Sequence, residues 1–92
     1  MIKSFAHKGL QQFYYDGVGK RIKVSHRAKL SDILDILDSA SDIHETNFPG
    51  SGLHKLKGPL REYWSVKVSG NWRIIFRFRD GDVFNINYVD YH

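Results

Sequence analysis

Three groups of residues have the right chemistry to handle protons and phosphate: His54-Lys55-Leu56-Lys57-Gly58, Arg73, and Asp90-Tyr91-His92. Together they could cleave RNA through its own 2′-hydroxyl. That reaction needs a base for the hydroxyl proton, a cation for the charged phosphorane and an acid for the leaving 5′ oxygen. Histidine, with an ordinary pKa near ~6.5, serves as base or acid. Lysine, arginine and tyrosine can share the remaining work, and no metal is needed. Each residue also has a plainer use. Lys57 and Arg73 fit surface charges, Tyr88 fits a core, and Asp90 could orient a neighbouring cation. His7, His26 and His44 read as structural or merely exposed. A Ser65–His54–Asp90 triad lacks a nucleophile elbow, and His54 with His92 and Asp90 lacks diagnostic metal spacing. Phosphate-loop and dinucleotide glycine motifs are absent.

The chain that must position these groups has 92 residues and a mass of 10.7 kDa, enough for one domain over 1–92 and too little for two. Without cysteine it has no disulfide, cysteine nucleophile or thiolate metal site. Its longest aliphatic/aromatic run, Ile74-Ile75-Phe76, is far short of a membrane span, and Met1-Ile2-Lys3-Ser4-Phe5 has no apolar signal region. The expectation is a cytoplasmic protein without a membrane partner. Residues 1–30 carry a net +6, residues 31–53 a net −5 and residues 54–92 a net +3, for +4 in all. Two basic blocks around an acidic one point to an anionic partner, nucleic acid before membrane.

The pattern predicts an α+β fold. Ile2 to Phe5 reads as a short strand, and His7 to Tyr15 as a helix closed by Asp16-Gly17. A longer helix over 25–40 has Ser25 as N-cap and a buried stripe of Leu30, Ile33, Leu34 and Leu37. Arg27 and Lys29 sit in its first turns, against the helix dipole, and are candidates for a phosphate-binding rim. From Tyr63 the period becomes two, predicting a three-strand antiparallel meander with turns at Ser69-Gly70-Asn71 and Asp80-Gly81. Unbroken alternation favours a three-residue loop, Arg79-Asp80-Gly81, with Phe76 facing Phe84 and Ile74 facing Ile86. Trp64, Val66, Val68, Trp72, Ile74 and Phe76 then share the core face. The other face carries Tyr63, Ser65, Lys67, Arg73, Arg77, Asn85, Asn87 and Tyr91. Its cations, with Lys67 and Arg77 beside Arg73, suit phosphates, and its rings suit unpaired bases.

Leu53-His54-Lys55-Leu56-Lys57-Gly58, Tyr63-Trp64-Ser65-Val66, Asn71-Trp72-Arg73-Ile74 and Tyr88-Val89-Asp90-Tyr91-His92 together resemble the HigB toxins of bacterial toxin–antitoxin systems, within the RelE superfamily. The resemblance covers essentially the whole chain, loosely over 16–52 and specifically over 53–92. It implies a compact RelE-like fold whose helices pack on one face of an antiparallel sheet. It also implies a ribosome-dependent endoribonuclease that cuts translated mRNA in the A site of the 70S ribosome, on the 30S subunit beside 16S rRNA, without a cofactor. The implied partner is a helix-turn-helix HigA-type antitoxin, with operator DNA reached only through that complex. By the same resemblance His54 and Lys57 match the catalytic loop, Arg73 the phosphate-contacting strand arginine, and Asp90, Tyr91 and His92 the C-terminal catalytic group. The roles expected are Lys57 or His92 as base, Arg73 for the phosphorane, and Tyr91 or His92 as acid. Asp90 positions its neighbours and His54 supports phosphate or base binding. Lysine ordinarily titrates near ~10.4, so a base role for Lys57 requires surrounding cations to lower its pKa. The alternatives are a non-catalytic ParE-type toxin that binds gyrase, and an RNA-binding module without activity.

Overall fold

Alternating apolar residues from Tyr63 onward build the sheet on which the molecule is assembled. The computed structural model describes residues 1–91. Helix α1 (Lys8–Asp16) and helix α2 (Arg27–Ser39) precede strands β1 (His54–Lys55), β2 (Tyr63–Ser69), β3 (Trp72–Arg79) and β4 (Asp82–Asp90). The strands form one antiparallel sheet in the order β1-β2-β3-β4. The expected stripe Leu30, Ile33, Leu34 and Leu37 packs with Leu10 of α1 against Val66, Ile74, Phe76, Val83 and Ile86. Helices therefore cover one face, as the α+β reading requires. Among the described residues, no helix is long and apolar enough to cross a membrane.

The ends of the helices depart from the expected caps. His7 begins α1, its Nδ1 accepting from the Leu10 N–H at 2.9 Å. Gly17, at φ 71, closes α1 with its N–H on the Phe13 carbonyl at 3.1 Å, an αL ending that needs the left-handed glycine. Ser25 does not cap α2. It lies in a 3₁₀ turn, Val24–His26, and α2 starts at Arg27 with no side-chain cap. Tertiary contacts hold this end instead: His26 bonds Tyr88, and Arg27 Nη2 donates to the Gly19 carbonyl at 2.7 Å. At the other end of α2, Asp38 accepts from the Ile2 N–H at 2.9 Å. Its position against the helix dipole thus secures the N-terminal segment. Asp42 and Glu45 form a capping box on the turn Ile43–Thr46.

Three expectations about the sheet need correction. The segment Ile2–Phe5 makes two isolated parallel bridges to β4, Ile2↔Val83 and Phe5↔Ile86, and the fourth full strand is β1 at the opposite edge. The β3–β4 connection is the two-residue turn Asp80-Gly81, pairing Arg79 with Asp82; both central residues are left-handed, at φ 51 and 82. The mixing of faces that argued against this turn is undone by a bulge. Asn85 takes φ 54, and the register shifts between Ile75 and Arg77. Arg77 opposes Phe84 while Ile74 opposes Tyr88, so the expected pairs Phe76/Phe84 and Ile74/Ile86 do not form. Between β2 and β3 the expected pairs Trp64↔Phe76 and Val66↔Ile74 do form. A bulge at Val68 then leaves Gly70-Asn71 as the turn, in place of the three-residue loop.

Candidate catalytic face

Register assembles the candidate site. Crossing the sheet, His54 pairs with Ser65, Ser65 with Ile75, and Ile75 with Asn87, one row over all four strands. The next row holds Lys67, Arg73 and Val89. Adjacent strands lie ~4.8 Å apart and same-face rows ~6.8 Å apart along them, so His54, Lys67, Arg73 and Asn87 share one patch. It lies on the face turned away from the helices. The middle of that face is not open as expected: Ser65 is 0% exposed, its Oγ has no hydrogen-bond partner, and Ile75 is buried outside the main core.

Arg73 is half-buried, and its Nη1 donates to the carbonyls of Gly70 at 2.6 Å and Trp72 at 3.0 Å. These bonds fix the guanidinium over the β2–β3 turn and, among the described residues, leave its Nε and Nη2 donors for an anion. His54 is exposed, with Nδ1 2.9 Å from the Gly52 carbonyl. A carbonyl only accepts, so Nδ1 is the donor, and in the neutral ring Nε2 is the nitrogen left with a lone pair. Lys57 is exposed where the chain leaves β1, just before the turn Gly58–Leu60. Tyr91 is exposed beyond β4, and its N–H donates to the Asn71 carbonyl at 2.8 Å. This bond extends the pairing past Trp72↔Asp90 and keeps Tyr91 beside the row of Arg73. Asp90, opposite Trp72, has the other parity. His92 lies outside the described residues.

The remaining cations divide. Lys67 pairs directly with Arg73. Arg77 lies on the same face and meets Glu62 at 3.5 Å. Arg27 and Lys29 belong to α2, across the sheet from Arg73. Arg27 anchors Gly19, and Lys29 Nζ stands 5.5 Å over the Phe48 ring. The structure does not bring these two to the patch.

Behind Asp90 lies an aromatic support that the sequence reading assigns to the core. Trp72 stacks on Tyr88 at 4.5 Å between centroids, and the Tyr88 hydroxyl is 2.6 Å from His26 Nδ1. Burial pushes the Tyr88 hydroxyl pKa up; burial and then Lys23 push His26 down, so a neutral tyrosine donates to a neutral imidazole. A histidine with a lowered native pKa binds fewer protons folded than unfolded. Its contribution is complete above the unfolded value near ~6.5 and falls away as pH drops below it. Thermal melts should accordingly show Tm falling between pH 7.5 and 5.5, with a shallower fall in His26→Gln; equal slopes would remove His26 from the explanation.

Known proteins are similar to this chain over its whole length. The model for HigB-like toxins, the RelE-like toxins of HigB type II toxin–antitoxin systems, matches residues 3–92. The chain is 44% identical over 92 residues to an endoribonuclease HigB of Proteus vulgaris, covering 100% of both chains. It is 35% identical over 94 residues to a toxin HigB-1 of Vibrio cholerae serotype O1, covering 100% of this chain and 98% of the relative. The fold is similar to a chain of the YoeB–YefM complex from Staphylococcus aureus, with TM-score 0.61 and 17% identity over 100% of this chain and 95% of that one. A family model matched over residues 3–92 and two relatives matched over essentially their full length agree, and this chain belongs to the HigB-like family of RelE-like toxins.

Proposed function

We propose that this toxin is a ribosome-dependent endoribonuclease that cuts translated mRNA in the A site by 2′-hydroxyl attack. The observation that carries the reading is the shared patch of His54, Lys67, Arg73 and Asn87 on the face away from the helices, with Tyr91 one row beyond Arg73. The name of the Proteus vulgaris relative supports the reaction class. Arg73 offers Nε and Nη2 to the phosphorane while its Nη1 stays on the turn carbonyls. In this reading His54 takes the hydroxyl proton at Nε2, with Lys57 or His92 as the alternative base. Tyr91 or His92 returns a proton to the leaving oxygen, and Asp90 orients them. Lys57, Lys67 and Arg77 hold flanking phosphates as charges. The scheme uses side chains alone, without a metal or cofactor.

An exposed patch with few walls cannot by itself hold a flexible RNA strand in line for attack, which is a physical reason for the ribosome to present the substrate. In the bacterial cytoplasm, where translation takes place, a HigA-type antitoxin is the partner that keeps the toxin silent. His54→Gln keeps a polar group and removes the titrating imidazole. It should lower single-turnover cleavage of ribosome-bound mRNA ~10²-fold or more while leaving the melting temperature in place. Full activity in that variant would transfer the base role to Lys57 or His92.

A further inference from the structure

The sheet carries a second cationic site, of which the catalytic reading uses Arg77 alone. Toward the Asp80-Gly81 turn, away from Arg73, a cleft of about 410 Å³ is lined by Lys55, Glu62, Arg77, Arg79, Phe84 and Asn85. Three cations against one carboxylate leave it net positive. Lys55 Nζ rests 5.4 Å from the centroid of the Trp64 ring, on the helix-covered face, so the cations beside Phe84 are Arg77 and Arg79. Phe84 supplies an aromatic wall: the two-residue turn that pairs Arg79 with Asp82 sets it opposite Arg77, and the bulge at Asn85 then returns Ile86 to the core. Val83 and Ile86 both enter the core, while Phe84 stands only half-buried opposite Arg77. Bulges of this kind re-aim side chains next to functional sites.

We propose that this cleft is a subsite for one unpaired nucleotide of single-stranded RNA, its base stacked on Phe84 and its phosphate held by Arg77 and Arg79. The proposal rests on the reading of this face as the RNA surface and extends it along β3. Arg73 and Arg79 stand ~20 Å apart by strand rise, with Arg77 between them, so a strand leaving the catalytic patch meets cations on its way to Phe84. An aromatic face set among cations is how sequence-tolerant single-strand sites are built; an acidic protein segment would use the cations and leave the ring idle. Glu62 holds Arg77 through an exposed pair at 3.5 Å, weak enough for a phosphate to displace.

The test uses the full chain and a short fluorescein-labelled 2′-O-methyl RNA, which lacks the attacking hydroxyl and so reports binding without cleavage. Phe84→Leu should weaken binding of the single strand ~5- to 100-fold, and Phe84→Trp should preserve it. Arg79→Gln should make the slope of log affinity against log salt shallower by ~0.7, and Glu62→Gln should tighten binding. Wild-type affinity in Phe84→Leu would overturn the subsite, and so would equal weakening toward an RNA duplex, whose paired bases cannot stack. Retained RNA affinity with lost antitoxin capture would also overturn it, making the cleft a protein-docking surface. The two readings fail separately. Phe84-dependent binding by a protein that cuts no ribosome-bound mRNA supports the subsite and removes the nuclease. Cleavage with binding indifferent to Phe84 does the reverse.

Discussion

Arg73→Ala is expected to lower cleavage of ribosome-bound mRNA by ~10²–10³-fold, the usual cost of removing one preorganised donor from a developing charge. The side chain is half-buried and leaves no large cavity when truncated, so the melting temperature should change little. Arg73→Lys should recover only a small part of the loss. A lysine carries the charge but cannot bond the Gly70 and Trp72 carbonyls through one nitrogen while offering a planar fork to the phosphate. Single-turnover rates with both variants, read beside circular-dichroism melts, check this. If Arg73→Lys were fully active, simple charge would suffice and the fixed guanidinium geometry would be irrelevant.

Phe76→Ala should be the most destabilising single truncation in the sheet. Phe76 is 0% exposed and the largest of the fully buried side chains; it faces Trp64 of β2 on one side and the β4 bulge on the other. Burying nothing in its place costs ~3–5 kcal/mol, from a total that in domains of this kind is ~5–15 kcal/mol. Urea unfolding at equilibrium should show the midpoint falling steeply with the m-value kept. Lys67→Ala, exposed on the other face, should stay within ~0.5 kcal/mol of wild type. A mild Phe76→Ala phenotype would mean that the bulge region collapses around the cavity.

Where the pattern in the sequence was strong and local, it gave the right structure. The stripe Leu30, Ile33, Leu34 and Leu37 has one helical interpretation and lies buried as such. The alternation from Tyr63 defines the meander, while Asp80-Gly81 has the composition of the two-residue turn that the expectation of unbroken alternation set aside. Alternation alone could not reveal the bulge, because one extra residue at Asn85 reverses every parity after it without changing composition. Keeping the alternation unbroken required the three-residue loop, which put Phe84 in the expected core and missed the cleft it lines. His54–Lys55 is too short to show a period, so its place as the edge strand next to β2 was not legible. Ser25 looked like a cap because capping is a local rule, and the contacts of His26 and Arg27 that replace it come from distant residues. Of the site, the side of the sheet taken by Lys67, Arg73 and Arg77 followed from parity. That His54 joins them followed only from the family motifs, since nothing local relates residue 54 to residue 73. The same locality explains why Arg27 looked like a phosphate ligand: its charge was visible, its bond to Gly19 was not.

The central claim is tested most directly by adding the purified protein to one mRNA in two states, programmed on 70S ribosomes and free, with Arg73→Ala alongside and the cut ends mapped. The account predicts cuts only on the ribosome, leaving 2′,3′-cyclic phosphate and 5′-hydroxyl ends, and lost in the variant. Absence of cleavage by a folded protein that still arrests growth would contradict it, and would make the patch around His54 and Arg73 a surface for docking a protein target.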